Sequence, residues 1–317
     1  MDSNISRRRF LRSTVPAGLM ASGVAAWPIV ARAADPIKRP GKPRLPLSLA
    51  AYSFRDFFKD NTSARKTPIA PDKELDLLKF IDYCADHGCD GAELTAYYFP
   101  KNVTNDFLIE LKRRAFLRGI AISGSAVGNN FAQPKGAPLE EQIAYTKKWI
   151  DRSAVLGAPH IRVFAGSAKG ISDAQARKMC IGALEECADY AGQSGIFLGL
   201  ENHGGIVAEP AGLLEIVQAV KSKWLGINLD TGNFQTDDPY ADLEKIAPYA
   251  VNVQYKVEIK RRSAGTSEPS DMARVVRILR QANYQGYVAL EHEKKEDPWT
   301  FVPQHLNQLR AALATAA

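Results

Sequence analysis

Cysteine, histidine, long apolar runs and a surplus of one charge are all scarce in this 317-residue chain, and each scarcity closes off a class of function. Cysteine occurs four times, at Cys84, Cys89, Cys180 and Cys187, too seldom for a disulfide-built scaffold. Cys180 and Cys187 lie two turns apart on one predicted helix, ~10 Å along its axis and beyond disulfide reach. A bridge between Cys84 and Cys89 stays open, but the expectation is four reduced core thiols. No stretch has the length and apolarity of a membrane span: the weakly charged run from Thr14 to Val30 is broken by Pro16, Gly18, Gly23 and Pro28. A Gly-rich phosphate turn is missing after the first predicted strand, where Tyr52-Ser53-Phe54-Arg55-Asp56 stands instead. That argues against an open doubly wound dinucleotide-binding sheet.

The charge is less one-sided than the formal +6 implies. Residues 1–33 hold Arg7, Arg8, Arg9, Arg12 and Arg32 against Asp2, so the remainder carries only +2. A nearly balanced chain has no broad basic face for nucleic acid, and no nucleic-acid partner is expected. Those first residues read as a twin-arginine signal peptide: Ser6-Arg7-Arg8-Arg9-Phe10-Leu11, a mildly apolar stretch, then Ala31-Arg32-Ala33 as a cleavage site before Ala34. An uncleaved anchor or a basic tail is the competing reading. The expectation is a periplasmic or otherwise exported protein that meets the twin-arginine export machinery and keeps no stable membrane association after cleavage. Folding in the cytoplasm before export agrees with unpaired cysteines.

Residues 34–45 are rich in Pro and Lys/Arg without an apolar period and read as a solvated linker. Over 46–317 a regular alternation begins. Strand-length apolar runs fall at 47–54, 91–94, 120–125, 160–164, 196–200, 225–229, 251–256 and 287–291. Longer segments with helical spacing separate them, such as Leu75, Leu78, Phe80, Ile81 and Cys84. Eight strands alternating with helices predict an α/β fold, a closed (β/α)8 TIM barrel in one domain.

Barrels of this kind carry their chemistry at the C-terminal ends of the strands. Those ends bear Glu93, then Asn129 and Asn130, then Glu201, Asn202 and His203, then Asp230 and Asn233, then Gln254 and Lys256, then Glu291 and His292. Carboxylates ending apolar strands are costly to bury without a cation or hydrogen-bond donors. Glu201, Asp230, Gln254 and Glu291 together predict a metal site of oxygen donors, suited to Mn²⁺ or Mg²⁺ rather than thiolate-bound zinc. The bland alternative is that each acid caps a helix or pairs with a basic neighbour such as Lys256.

The segments Leu198-Gly199-Leu200-Glu201-Asn202-His203-Gly204-Gly205, Gly226-Ile227-Asn228-Leu229-Asp230-Thr231-Gly232-Asn233, Val253-Gln254-Tyr255-Lys256 and Gly286-Tyr287-Val288-Ala289-Leu290-Glu291 resemble the xylose-isomerase-like TIM barrels over about residues 46–315. That family includes sugar isomerases and epimerases, inosose dehydratases and apurinic endonucleases. In its epimerases Glu, Asp, His and Glu from four strands hold the metal, and three map onto Glu201, Asp230 and Glu291. Gln254 stands where the strand-seven His is usual, and Asn233 where a His often follows the Asp by three. Both replace imidazole by an amide. Five histidines in all fit the His-rich endonuclease branch poorly.

The resemblance implies proton transfer beside a carbonyl through an enediolate, with Glu201 and Glu291 as the proton-moving pair and Asp230 chiefly a ligand. The substrate it implies for an exported protein is a small unphosphorylated carbohydrate. A lyase or dehydratase acting on a keto-sugar or 3-keto-glycoside, and a sugar-binding barrel without turnover, remain as alternatives. His203 reads either as an extra acid or as an orienting group for Glu201. Lys256 reads as a group that polarises a substrate oxygen or pairs with Glu201 or Glu291. Glu93 and Arg162 read as barrel network, and Tyr52, Phe54, Tyr97 and Phe131 as a wall against a sugar face or as packing. Lys260-Arg261-Arg262 with Lys294 and Lys295 reads as an attractor of anionic substrates or, more simply, as a solvated charged rim.

Overall fold

The structure, a computed structural model, describes residues 35–61 and 68–315. The signal-peptide expectation for residues 1–33 lies outside them. Eight parallel strands close into a barrel in the order β1 (Leu47–Ala50), β10 (Val288–Glu291), β7 (Ala250–Lys256), β6 (Leu225–Asp230), β5 (Phe197–Glu201), β4 (His160–Phe164), β3 (Ala121–Ala126), β2 (Gly91–Thr95). The two remaining strands, β8 (Glu258–Lys260) and β9 (Ser267–Pro269), form a small antiparallel hairpin.

Helices α1 (Leu77–Asp86), α2 (Asn105–Leu117), α3 (Ala137–Leu156), α4 (Asp173–Gly192), α5 (Pro210–Ala219), α6 (Pro239–Ile246), α7 (Met272–Gln281) and α8 (Pro298–Ala314) alternate with the barrel strands. Their starts follow from local chemistry. Asp76, Thr104, Ser172, Asp238, Asp271 and Asp297 each accept a hydrogen bond from a backbone N–H of the first turn. Ser172 and Gln175 complete a reciprocal capping box. Where no side chain caps, proline stands in the first turn, as at the start of α5.

Each strand presents alternate residues to two environments. Leu49, Leu94, Ile161, Val163, Leu198, Leu200, Ile227, Leu229, Val253, Tyr255 and Leu290 join the helices in one hydrophobic core. The intervening residues turn toward the barrel axis, and many are polar yet buried: Ser48, Glu93, Ser123, His160, Arg162, Asn228, Asn252 and Gln254. Gly124 makes room for one of them. A Cβ there would stand 1.9 Å from Cε1 of His160, so only glycine lets that ring into the barrel.

One sequence expectation needs correction. The first predicted strand ends at Ala50, and Ala51–Phe54 is a turn of 3₁₀ helix. The cause is Ser53, whose hydroxyl donates to Leu290 O and accepts from His292 N, pulling the chain across the mouth toward β10. Residues 35–46 have no helix or strand and are exposed or half-buried, and a few hydrogen bonds tie them to the barrel. Ile37 N donates to Pro248 O, Arg39 to Ala250 O, and Gly286 N to Arg44 O. Asn283 and Gln285 donate to Arg39 O and Pro40 O. The segment is stitched to the ends of the barrel where β7 and β10 begin. The four cysteines are buried and unbridged.

Candidate active site

At the C-terminal rim four strands deliver ionisable side chains to one place. Glu201 ends β5, Asp230 ends β6, Lys256 ends β7 and Glu291 ends β10, all buried. The register pairs Lys256 with Glu291 across β7 and β10, so the lysine, not Gln254, shares the rung of Glu291. Its ammonium lies 3.3 Å from Asp230 Oδ2 and 3.4 Å from Glu291 Oε2, and it also contacts Glu293 Oε2. Glu201 has a different cation: Arg162 Nε stands 2.9 Å from its Oε2. The Asn233 amide donates to the other oxygen, Oε1, at 2.8 Å. Asn233, at the position where a histidine is usual, thus orients Glu201.

The backbone around these groups is tied down. Asn202 makes a two-way clip to Asp230, donating to its O and accepting from its N, both at 2.9 Å. Asn129 does the same for Phe164, joining the ends of β3 and β4. Gly232 N donates to Asp230 Oδ1 at 2.9 Å. Thr231 Oγ1 accepts from Lys256 N. At Gly232 a Cβ would meet Glu258 O at 2.6 Å and Lys256 Cβ at 2.9 Å, so glycine is what lets the lysine stem cross toward the acids.

Burial sets the protonation behaviour. It pushes the Glu201 carboxyl up to about 7 against the pull of Arg162, with the charge of Glu291 adding to the rise. Burial raises Glu291 as well, opposed by Lys256, and lifts Asp230 well above the usual carboxylate range. For Lys256 burial works the other way. The surrounding Asp230, Glu291, Glu293 and Glu201 outweigh it and hold the ammonium charged. His203 lies on an exposed loop with its ring 4.5 Å from that of Phe164. Loss of solvation and the charges of Arg162 and Lys256 keep it below the ordinary imidazole value, hence neutral near pH 7.

Gln254 belongs to a second, deeper layer. Its Nε2 donates to Glu93 Oε1 at 2.6 Å and its Oε1 accepts from Asn228 Nδ2 at 2.6 Å. Asn252 Nδ2 donates to Glu93 Oε2 at 2.7 Å and to Asn228 Oδ1 at 2.8 Å, and His160 Nε2 lies 3.7 Å from Glu93. Of the predicted quartet, Asp230 and Glu291 therefore meet at Lys256, Glu201 stands beside them on Arg162, and the amide of Gln254 is engaged below. The sequence reading passed over Asn228 and Asn252. Their signal was present as polar residues two apart along β6 and β7.

The donor chemistry suits a hard divalent cation. Asp230 Oδ2 and Glu201 Oε2 are buried with only the cations of Lys256 and Arg162 as partners among the described residues, so a lone pair on each remains for an ion. Among the described residues no three acid, histidine or cysteine side chains are gathered on one point, and the ammonium of Lys256 stands between Asp230 and Glu291.

A cavity of about 290 Å³ opens onto this cluster, lined among others by Asn233, Lys256, Glu258, Glu291, Glu293 and Lys294. A larger one, about 580 Å³, lies between α5 and α6 near Pro210, Asp238 and Lys245, and no strand-end acid reaches it. Chemistry, not volume, makes the smaller one the candidate site. Of the four aromatics, Phe54 and Phe131 are wholly buried, and Phe54 packs on Tyr83 and Trp299. Tyr52 is half-buried, where Glu291, Glu293 and Lys256 influence its hydroxyl. Tyr97 lies against Gly128. The basic cluster is largely neutralised: Arg261 pairs with Glu268, Arg262 with Glu209, and Lys294 with Glu258 and Glu296.

No curated protein matches the chain. Solved structures resemble it along nearly their whole length. D-psicose 3-epimerase from Clostridium cellulolyticum H10 with D-tagatose superposes with a TM-score of 0.65 at 16% identity, over 85% of this chain and 97% of the other. A xylose isomerase-like TIM barrel protein from Mycobacterium smegmatis in complex with magnesium gives 0.63 at 18%, over 85% and 98%. The 3-keto-D-glucoside 4-epimerase of E. coli gives 0.61 at 17%, over 85% and 100%. At such identities the likeness is one of fold. The sequence model described as xylose isomerase-like TIM barrel matches residues 81–312. With the closed parallel barrel and its strand-end acids, this chain belongs to the xylose isomerase-like TIM barrel family.

Proposed function

We propose that this protein is an exported isomerase or epimerase that moves a proton beside the carbonyl of a small unphosphorylated carbohydrate. One observation carries the reading: two buried carboxyls on different strands, both raised by burial and Glu201 to about 7, with Glu291 lining a polar cavity of monosaccharide scale and Glu201 hydrogen-bonded to Asn233 on its wall. A carboxyl titrating near neutrality accepts and returns protons readily at physiological pH. The names of similar structures, D-psicose 3-epimerase and 3-keto-D-glucoside 4-epimerase, support the same substrate class.

In this reading Glu201 and Glu291 take up and deliver the proton on two sides of the substrate. Arg162 and Asn233 hold Glu201 in place. Lys256 and neutral His203 face substrate oxygens as hydrogen-bond donors. Glu201, Asp230 and Glu291 would hold a divalent cation, Mn²⁺ or Mg²⁺ by donor type, which when bound supplies Lewis-acid stabilisation of negative charge on the substrate, while the Gln254 amide stays engaged with Asn228 and Glu93. Export through the twin-arginine route is part of the proposal. It is tested by N-terminal sequencing of protein recovered from the periplasm, where a start at Ala34 is expected.

The direct test is solvent exchange in D₂O against a panel of free ketoses, aldoses and 3-keto-glycosides, with and without Mn²⁺. Deuterium beside the carbonyl is expected for at least one sugar, and it is lost in Glu201→Gln. No exchange on any member sinks the reading and favours a sugar binder. An unsaturated ketone as product moves it to the lyase alternative.

A further inference from the structure

The position between Asp230 and Glu291 is where the two acids converge, and a residue of the chain already fills it with positive charge. Lys256 Nζ faces Asp230 Oδ2 at 3.3 Å and Glu291 Oε2 at 3.4 Å. Asp230 Oδ1 is taken by Gly232 N, and Oδ2 has no hydrogen-bond donor among the described residues, leaving the ammonium as its partner. Divalent ions bind carboxylate oxygens at roughly 2.0–2.6 Å. A cation shared by Asp230 Oδ2 and Glu291 Oε2 therefore needs the space of the ammonium, and two like charges so close repel strongly.

The lysine has somewhere to go. Glu293 already touches its ammonium and, unlike Asp230 and Glu291, is substantially exposed, its side chain at 38%. It lies on the wall of the open cavity. A four-carbon stem with rotatable bonds reaches such a partner without moving the backbone, which Thr231 Oγ1 pins at Lys256 N.

We propose that Lys256 is a built-in competitor for the metal position: its ammonium neutralises Asp230 and Glu291 in the metal-free protein, and a divalent cation enters only as that ammonium swings outward to Glu293. The inference rests on the reading that these acids take a metal, and it assigns to Lys256 and Glu293 the setting of how tightly. Competition for one place lowers apparent affinity by the fraction of sites the lysine holds. Removing the lysine therefore tightens metal binding although a charged side chain of the site has been lost. Removing Glu293 weakens it, but only while the lysine is there to be displaced.

The experiment is calorimetric titration of MnCl₂ into the mature protein, with four variants forming a cycle: wild type, Lys256→Met, Glu293→Gln and the double variant. Mn²⁺ is expected to bind Lys256→Met at least tenfold more tightly than wild type. Glu293→Gln weakens binding about threefold or more in the wild-type background and hardly at all in Lys256→Met. A second readout needs no substitution: reductive methylation followed by peptide mass spectrometry, where Mn²⁺ is expected to increase labelling of Lys256 as it leaves its buried position. Equal Mn²⁺ affinity with and without the lysine, or labelling that Mn²⁺ suppresses, overturns the competition while leaving the metal reading standing. No Mn²⁺ bound by any variant overturns both.

Discussion

Replacing Glu201 by Gln should change how stability depends on pH more than stability itself. The carboxyl titrates near 7 in the folded protein, against an ordinary 4.5. Below 4.5 it is protonated in both states and costs nothing as a charge. As pH rises toward 7 the unfolded chain ionises freely while the folded one resists, so stability falls and then levels off above 7. A difference of about 2.5 units at 1.36 kcal/mol each amounts to about 3 kcal/mol, of which about 2 kcal/mol falls between pH 5 and pH 8. Glutamine cannot titrate, and Arg162 is left facing a neutral amide, which shifts the whole curve by a roughly constant amount. Urea unfolding in EDTA at pH 5, 6, 7 and 8, for both proteins, isolates the slope, because most other titrations cancel in the difference. Wild type should lose about 2 kcal/mol more than Glu201→Gln across that interval. Parallel curves would refute the claim that burial of Glu201 raises its carboxyl.

Arg162→Met removes the cation that opposes that rise, so the acidic limb of the exchange-rate profile should move to higher pH, read from initial rates in D₂O buffers. An unmoved limb would take Arg162 out of this role. Glu93→Ala strips the acceptor from the amides of Asn252 and Gln254 inside the barrel and should cost about 3 kcal/mol or more in urea unfolding, since each buried donor left unpaired costs ~1–3 kcal/mol. Gly124→Ala drives a methyl into the His160 ring and should destabilise by about 1–3 kcal/mol, seen as a lower melting temperature. An unchanged melt would mean that the ring has room to turn away.

Much of the fold is legible in the sequence because its signals are local. Short β-branched runs, spaced helical stripes and capping residues such as Ser172 with Gln175 each act within a few positions. The strand-end acids are legible for the same reason: an acid closing an apolar run needs no knowledge of neighbours. What the acids pair with is not local. Lys256 and Glu293 come together over 37 positions, and Arg162 and Glu201 over 39, only because β4, β5, β7 and β10 close in one barrel. Gln254 looked like a rim residue because it sits two before Lys256, yet its register with β10 sets it opposite Ala289, two residues below Glu291, where its amide meets Glu93 and Asn228. The hairpin of β8 and β9 was invisible for a related reason. Its strands have three residues each, and its Arg261–Glu268 pair reads in sequence as ordinary charged surface.

The polar layer of Glu93, Asn228, Asn252 and Gln254 also works as a key to strand alignment. Slide β7 by one residue and Asn252, Gln254 and Lys256 face the helices, while Val253 and Tyr255 crowd the axis. Glu93, fully enclosed on β2, would then lose both of its amide donors at once. A purely aliphatic interior would tolerate such a slip far better, since one methyl-bearing side chain packs much like another. Misaligned barrels are thus penalised in the same interior that supports the mouth, and a chain that closes at all closes with Lys256 opposite Glu291.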